Sequence, residues 1–244
     1  MNTFRPGPGA QHIFKVVLVM SALIVVVAAG CSKSLEPESV PVQTTVTAPE
    51  AVELSRNAMA ALVSFRFELT HDSGSTALAG GLELTRAGGL VAQNGLDLEA
   101  EATIGRAFVR VEAIVIDDRT WMTNPLTGAW SEIPPEDSPF SFLDPVRLVA
   151  DILGETQDAV FPEGPHSEGE LTITGRIPAP TLAALVGTVD PDAVPAVTLT
   201  LDAETYLLKK IVIVGVTQPE DDEDTTRVIT LSEFDIPVSL KPPI

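Results

Sequence analysis

The chain has 244 residues, 34 acidic side chains against 15 basic ones for a formal net charge of −19, and one cysteine. That charge argues against a nucleic-acid partner, whose phosphates must be neutralised by cations, and against a polybasic clamp on an anionic membrane. A single cysteine leaves no intramolecular disulfide, so a fold outside the cytoplasm would rest on packing alone.

Residues 13–31, IFKVVLVMSALIVVVAAGC, decide how the rest is read. Arg5 and Lys15 supply a basic flank, residues 16–29 are apolar apart from Ser21, and the run stops at Ala28, Ala29 and Gly30. Those are the three parts of a secretory signal. The run is shorter than the ~20 residues usual for a membrane span. Because it ends on the only cysteine, it resembles a bacterial lipoprotein signal, with Ala28 where that class usually has Leu. The resemblance implies cleavage before Cys31 and acylation of its sulfur, which anchors the chain to the extracytoplasmic face of the cell membrane through buried acyl chains. The expected division is a signal over 1–30, a flexible tether over 31–47 and a single domain over 48–244. A domain of this size buries roughly 70% of its unfolded surface and can build its own core. Its acidity keeps it soluble and off anionic lipid.

Thr47-Ala48-Pro49-Glu50 is a capping box and predicts a helix to about residue 62, with Leu54, Ala58, Ala61 and Leu62 as its apolar face. The period then changes to two. Phe65, Phe67 and Leu69 alternate with polar residues, as do Leu82 and Leu84, then Leu96, Leu98, Ala100 and Ala102, then Val109, Val111, Ala113 and Val115. Gly80-Gly81, Gly88-Gly89, Asn94-Gly95 and Gly105-Arg106 read as the turns between them. The pattern is an antiparallel meander with one apolar face, which must be covered. A hairpin follows, carrying Trp121 and Trp130 on its two arms as a candidate cross-strand pair. Residues 133–143 form a Pro-rich loop that leaves Phe140 and Phe142 exposed unless they dock. Asp144-Pro145 opens a second helix with Leu148, Val149, Ile152 and Leu153 as its stripe, closed by Gly154. Residues 157–169 read as loop. Further strands are expected near 171–174, 197–201, 206–216 and 229–232, with a short helix over 180–186 carrying Leu182 and Leu185.

Few groups suggest chemistry. Beyond the signal, His71 and His166 lack metal-ligand partners at ligand spacing. There is no G-x-S-x-G elbow and no glycine-rich phosphate loop. The acidic run 220–224 lacks the spaced oxygens and glycine of a calcium loop and reads as a solvated hairpin tip. Neither a metal, a cofactor nor catalysis is expected. The helical stripes and the apolar sheet face are compatible with a dry core or with an aliphatic cleft of the kind that binds small apolar ligands. Pattern alone favours the dry core.

Several stretches resemble the LppX/LprA/LprF/LprG family of bacterial cell-envelope lipoproteins. They are Asp118-Arg119-Thr120-Trp121 with Pro125-Leu126-Thr127-Gly128-Ala129-Trp130, Leu143-Asp144-Pro145 leading into the helix of Leu148 to Leu153, Thr174-Gly175-Arg176-Ile177-Pro178, Leu201-Asp202-Ala203-Glu204-Thr205-Tyr206-Leu207-Leu208-Lys209-Lys210, and Leu231-Ser232-Glu233-Phe234-Asp235-Ile236-Pro237-Val238. The resemblance implies an α+β fold similar to the LolA/LolB carriers. In it a curved antiparallel β-sheet, a half-barrel, carries a few helices on its concave face and encloses an apolar cavity. It also implies binding and carriage of lipid or glycolipid acyl chains across the cell envelope, without chemistry, with an envelope transporter as a candidate partner. Alternation and stripe then nominate the wall: Val111, Ala113 and Val115 on the sheet, Leu148, Ile152 and Leu153 on the second helix, and Leu182 and Leu185 on the third. Phe140 and Phe142 are placed as a lip at the mouth. The rival reading is an envelope sensor or scaffold lipoprotein that binds a protein partner.

Overall fold

Thr47 starts the folded body. Its hydroxyl accepts from the Glu50 N–H at 3.4 Å while the Glu50 carboxylate accepts from the Thr47 N–H at 2.9 Å, so two backbone donors at the helix start are satisfied reciprocally. The helix, α1, spans Ala48–Ala60. In this computed structural model the described residues are 46–163 and 167–244. Residues 1–30, expected as a signal, and with them Cys31 and His166, lie outside the described residues.

The buried face of α1 is Ala48, Ala51, Val52, Ser55 and Met59. The stripe expected from hydrophobicity is displaced, and Leu54 is 41% exposed. Small side chains on the buried face, Ala51 and Ser55, favour close packing of α1 against its neighbours, the second helix and the strand that follows it, since interaxial distance follows the residues at the contact.

The meander consists of β1 (Ser64–Ser73), β2 (Thr76–Leu78), β3 (Leu82–Ala92), β4 (Gly95–Ile104), β5 (Ala107–Ile116), β6 (Arg119–Thr123) and β7 (Trp130–Ile133). Helix α2 (Pro145–Glu155) and β8 (Gln157–Val160) follow, then β9 (Glu170–Arg176). A 3-10 turn over Ala179–Leu182 runs into a single helical turn, α3 (Ala183–Val186), and β10 (Ala196–Asp202), β11 (Leu208–Val214) and β12 (Thr226–Ser232) complete the chain. Among the described residues twelve strands form one antiparallel sheet in the order β7-β6-β5-β4-β3-β1-β12-β11-β10-β9-β8, with β2 beside β3. The first and last strands of the order stay unpaired with each other, so the sheet is an open half-barrel.

Register explains the core. Ile173, Leu199, Ile211, Ile229, Leu69, Ala87, Ala100 and Val111 lie in one row across eight strands. Each is buried on the face that the helices cover. Period-two alternation puts these residues on one side of the pleat.

Four local expectations change. Gly88-Gly89 is strand, not turn: Gly89 pairs with Phe67 on β1 and Leu98 on β4. A Cβ there would strike the Asp97 carbonyl and lie 3.1 Å from the Phe67 ring, so glycine marks a close approach within the sheet. Gly154 lies inside α2, which ends at Glu155 and is capped by Thr156, whose N–H bonds back to the Ile152 carbonyl. Residues 157–160, expected as loop, add β8 to the edge beside β9. The tryptophans do not pair: Trp121 faces Glu132 and Trp130 faces Thr123. Trp121 is buried on the outer face, opposite Ile114 on β5. The Arg119 guanidinium lies 4.5 Å from its ring centroid, a cation–π contact, and that guanidinium is held in turn by Glu132 at 2.8 Å.

Candidate functional site

The two halves of the inner face differ in side-chain size. On β9 to β12 the inward residues are mostly large and aliphatic, with Ile173, Leu199, Leu201, Leu208 and Ile211 fully buried. On β3 to β6 the rows read Val91, Leu96, Val115, Thr120 and Gly89, Leu98, Ala113, Met122. Alanine and threonine there leave volume that the opposite wall does not fill.

That wall is the segment leading from β7 into α2. The cavity between them has a volume of about 380 Å³ and is lined by Val91, Leu96, Leu98, Ala113, Val115 and Thr120 from the sheet, with Phe140, Leu143 and Pro145 across from them. Its polar lining groups include Ser138, Ser141 and Asp144, and it holds no Lys, Arg or His. The Asp144 carboxylate is committed as the cap of α2, accepting from the Arg147 N–H at 3.0 Å, and Pro145 brings no N–H to the first turn. The arrangement accepts apolar matter and offers nothing to pair with an anion.

A second depression of about 400 Å³ lies on the other side of the same segment, with Leu78, Phe142, Val186 and Gly187 in its lining and Glu136 and Glu220 among its polar groups. Phe140 and Phe142 both dock. Phe140 is buried at 7% exposure and Phe142 packs against the core, its ring against Gly187, where an added Cβ would lie 3.1 Å away.

The nominated wall residues separate into groups. Ala113, Val115 and Phe140 meet in the first cavity, and Phe142 lies in the second. Leu148 and Leu185 border a void of about 10 Å³ beside Phe67, Ile229 and Leu231. Leu153 lines a groove against α1 and β8. Val111, Ile152 and Leu182 are packed in the core. Val91, Leu96, Leu98 and Thr120 line the cavity without having been nominated. Leu96 and Leu98 stand directly opposite Val115 and Ala113, so the alternation of neighbouring strands carried the signal that would have found them.

Beneath the second depression lies a polar network in the inner face. Arg227 is fully buried. Its two terminal nitrogens reach both Asp221 oxygens at 2.8 Å, its Nε donates to Thr76 Oγ1 at 2.9 Å, and Nη2 also donates to the Ser75 carbonyl at 2.9 Å and Gln218 Oε1 at 3.1 Å. Gln218 donates to the carbonyls of Ala77 at 2.9 Å and Val186 at 3.1 Å and accepts from the Ala77 N–H at 2.9 Å. The acidic run does lie in the β11–β12 connection, but it is not uniformly a solvated tip, because Asp221 points inward. Burial alone would raise its carboxyl. The Arg227 guanidinium and the N–H groups of Gln218 and Thr217 overcome that and hold it below the usual carboxylate range. His71 touches the same network, with Nδ1 3.0 Å from the Thr85 carbonyl and Nε2 3.0 Å from Thr76 Oγ1. Burial lowers its pKa, the Thr85 bond opposes that, and the positive charge of Arg227 adds to the lowering. Among the described residues no three His, Cys, Asp or Glu side chains are grouped to hold a metal, and no helix is long and apolar enough to cross a membrane.

An open antiparallel half-barrel with helices over one face, and an apolar cavity between them, defines the architectural class. A family model described as LppX_LprAFG lipoprotein matches residues 47–240, and the chain belongs to that family. A lipoprotein family implies association with the cell envelope. Among solved structures, the chain is similar to LprF from Mycobacterium bovis, with 18% identity and a TM-score of 0.58 over 81% of this chain and 99% of that one. It is also similar to the Mycobacterium tuberculosis lipoprotein LppX, with 19% identity and a TM-score of 0.54 over 79% of this chain and 97% of that one. At this identity the likeness establishes the fold. No curated protein matches the chain.

Proposed function

We propose that this lipoprotein binds the acyl part of a lipid or glycolipid in the cavity between β3–β6 and the 138–146 segment, and carries it across the cell envelope. The reading rests chiefly on that cavity of about 380 Å³, walled by aliphatic and aromatic side chains and free of cationic ones. An empty apolar wall in water is unfavourable by about 25 cal/mol per Å², and each methylene that covers it contributes ~0.8 kcal/mol. Acyl chains fill such a space without directional bonds, which suits a carrier that must also release its cargo. In this reading residues 1–30 are the signal, Cys31 is the acylated anchor on the extracytoplasmic face, and the following residues tether one lipid-binding domain. No chemical step is assigned to it.

The test is direct. Residues 32–244 are expressed without the signal, purified and extracted with organic solvent, and the extract is analysed by mass spectrometry. A lipid present at near one per protein supports the carrier. A protein that is empty, and that takes up no lipid from phosphatidylcholine vesicles, overturns it and leaves a protein-binding sensor or scaffold as the working model.

A further inference from the structure

The two cavities flanking the segment before α2 share lining residues. Ser138 and Ser141 border both, while Phe140 belongs to the first and Phe142 to the second. Residues 138–142 are therefore a thin partition whose two rings, two positions apart, fill neighbouring parts of one inter-layer space. The partition is weakly tied. Among the described residues, the hydrogen bonds made by residues 137–143 run to Pro134 or to one another: Asp137 N–H to the Pro134 carbonyl, Phe140 N–H to Ser138 Oγ, Ser141 N–H to the Ser138 carbonyl and Leu143 N–H to the Phe140 carbonyl. The first bond outward is Asp144 N–H to the Ala184 carbonyl at 3.2 Å. Ring packing alone holds the segment down, and an apolar ligand can replace ring packing methylene for methylene.

The wall behind the second cavity is of the opposite kind. Ala77 and Val186 line it, and their backbones are fixed by Gln218, itself held by buried Arg227. A yielding partition thus faces a rigid wall.

We infer that residues 138–142 form a movable septum, and that withdrawal of Phe140 and Phe142 joins the two cavities into one channel for a single acyl chain longer than the first cavity holds. This rests on the lipid-binding reading above. The first cavity is the entry end, being the more apolar of the two, and the chain end advances past Ser138 and Ser141 toward Ala77.

The experiment compares two neutral lipids with one headgroup and different chain lengths, monocaprin and monoolein. Each is titrated below its aggregation concentration against the full domain carrying N-phenyl-1-naphthylamine as the displaced probe. Thr188→Trp fills the second cavity from the side of Val186 and Gly187, and Glu220→Trp fills it from another side in case the first variant folds poorly. The septum requires monoolein to bind the wild type more tightly than monocaprin. It also requires both plugged variants to weaken monoolein by at least about tenfold, the equivalent of roughly two lost buried methylenes, while monocaprin is unchanged. If the wild type binds both lipids and the plugs leave monoolein unaffected, or weaken both lipids equally, the septum is overturned and the first cavity alone is the site. If the wild type binds neither lipid, the lipid-binding reading itself fails.

Discussion

Arg227 and Asp221 form a two-point ion pair out of reach of solvent, with side chains 0% and 4% exposed and both N–O distances at 2.8 Å. The pair joins the β11–β12 connection to β12, and through Gln218 and Thr76 it also holds β2 and the end of α3. A buried pair of this kind is not itself a large source of stability, but breaking it strands a charge.

Replacing Asp221 by Asn should therefore cost about 3–5 kcal/mol of unfolding free energy, because Arg227 would remain buried and unpaired. Asp222→Asn, one residue away and exposed, should stay within about 0.5 kcal/mol. Urea denaturation of both variants measures the contrast, and equal effects would mean the pair is not closed in solution.

His71 makes stability depend on pH. Its Nδ1–H donates to the Thr85 carbonyl, and its Nε2 accepts from the Thr76 hydroxyl, which is itself receiving Arg227 Nε. A proton on Nε2 would compete with that chain of donors. The folded pKa is lowered, so the unfolded chain, titrating near about 6.5, takes up the proton first. Stability contributed by neutral His71 is complete above about pH 6.5 and is lost as pH falls toward the folded value. Unfolding curves at about pH 7.5 and pH 5.5 should show a loss in the wild type that is smaller in His71→Gln.

Val115→Trp should reduce bound lipid while leaving the melting temperature within a few degrees, since Val115 lines the cavity rather than the packed core. Ile152→Ala should do the reverse. Ile152 is fully buried, and its truncation should cost about 2–5 kcal/mol. Lipid content by mass spectrometry and thermal melts separate the two effects.

Gly89→Ala should destabilise by about 1–3 kcal/mol through overpacking against the Asp97 carbonyl and the Phe67 ring. The neighbouring Gly88→Ala meets only ordinary contact, at 3.4 Å from the Phe67 carbonyl, and should lie within about 0.5 kcal/mol of wild type. Denaturant midpoints for the pair test whether β3 runs unbroken through both glycines.

Much of this was legible in the chain. The Thr47 capping box, the Asp144-Pro145 start, the Asn94-Gly95 turn and the alternation of Phe65, Phe67 and Leu69 depend on contacts within a few residues, so sequence spacing reports them directly. Gly88-Gly89 misled because glycine marks a turn and a close strand approach equally well, and only the neighbouring β4 backbone distinguishes them. The buried face of α1 was hidden for a related reason. Ala51 is small and Ser55 polar, so neither stands out as a core residue in the sequence, yet both are fully buried.

The sequence by itself determined the class: an antiparallel sheet with one apolar face and helices to cover it, and likeness to one lipoprotein family. Tertiary structure alone decided where space remains. Volume is a sum over facing walls, so Ala113 and Thr120 on β5 and β6 border a cavity only because Phe140, across from them, does not fill it. The same holds for Asp221, which lies in an exposed-looking acidic run yet turns inward because Arg227, six positions on, is carried by β12 into the buried row.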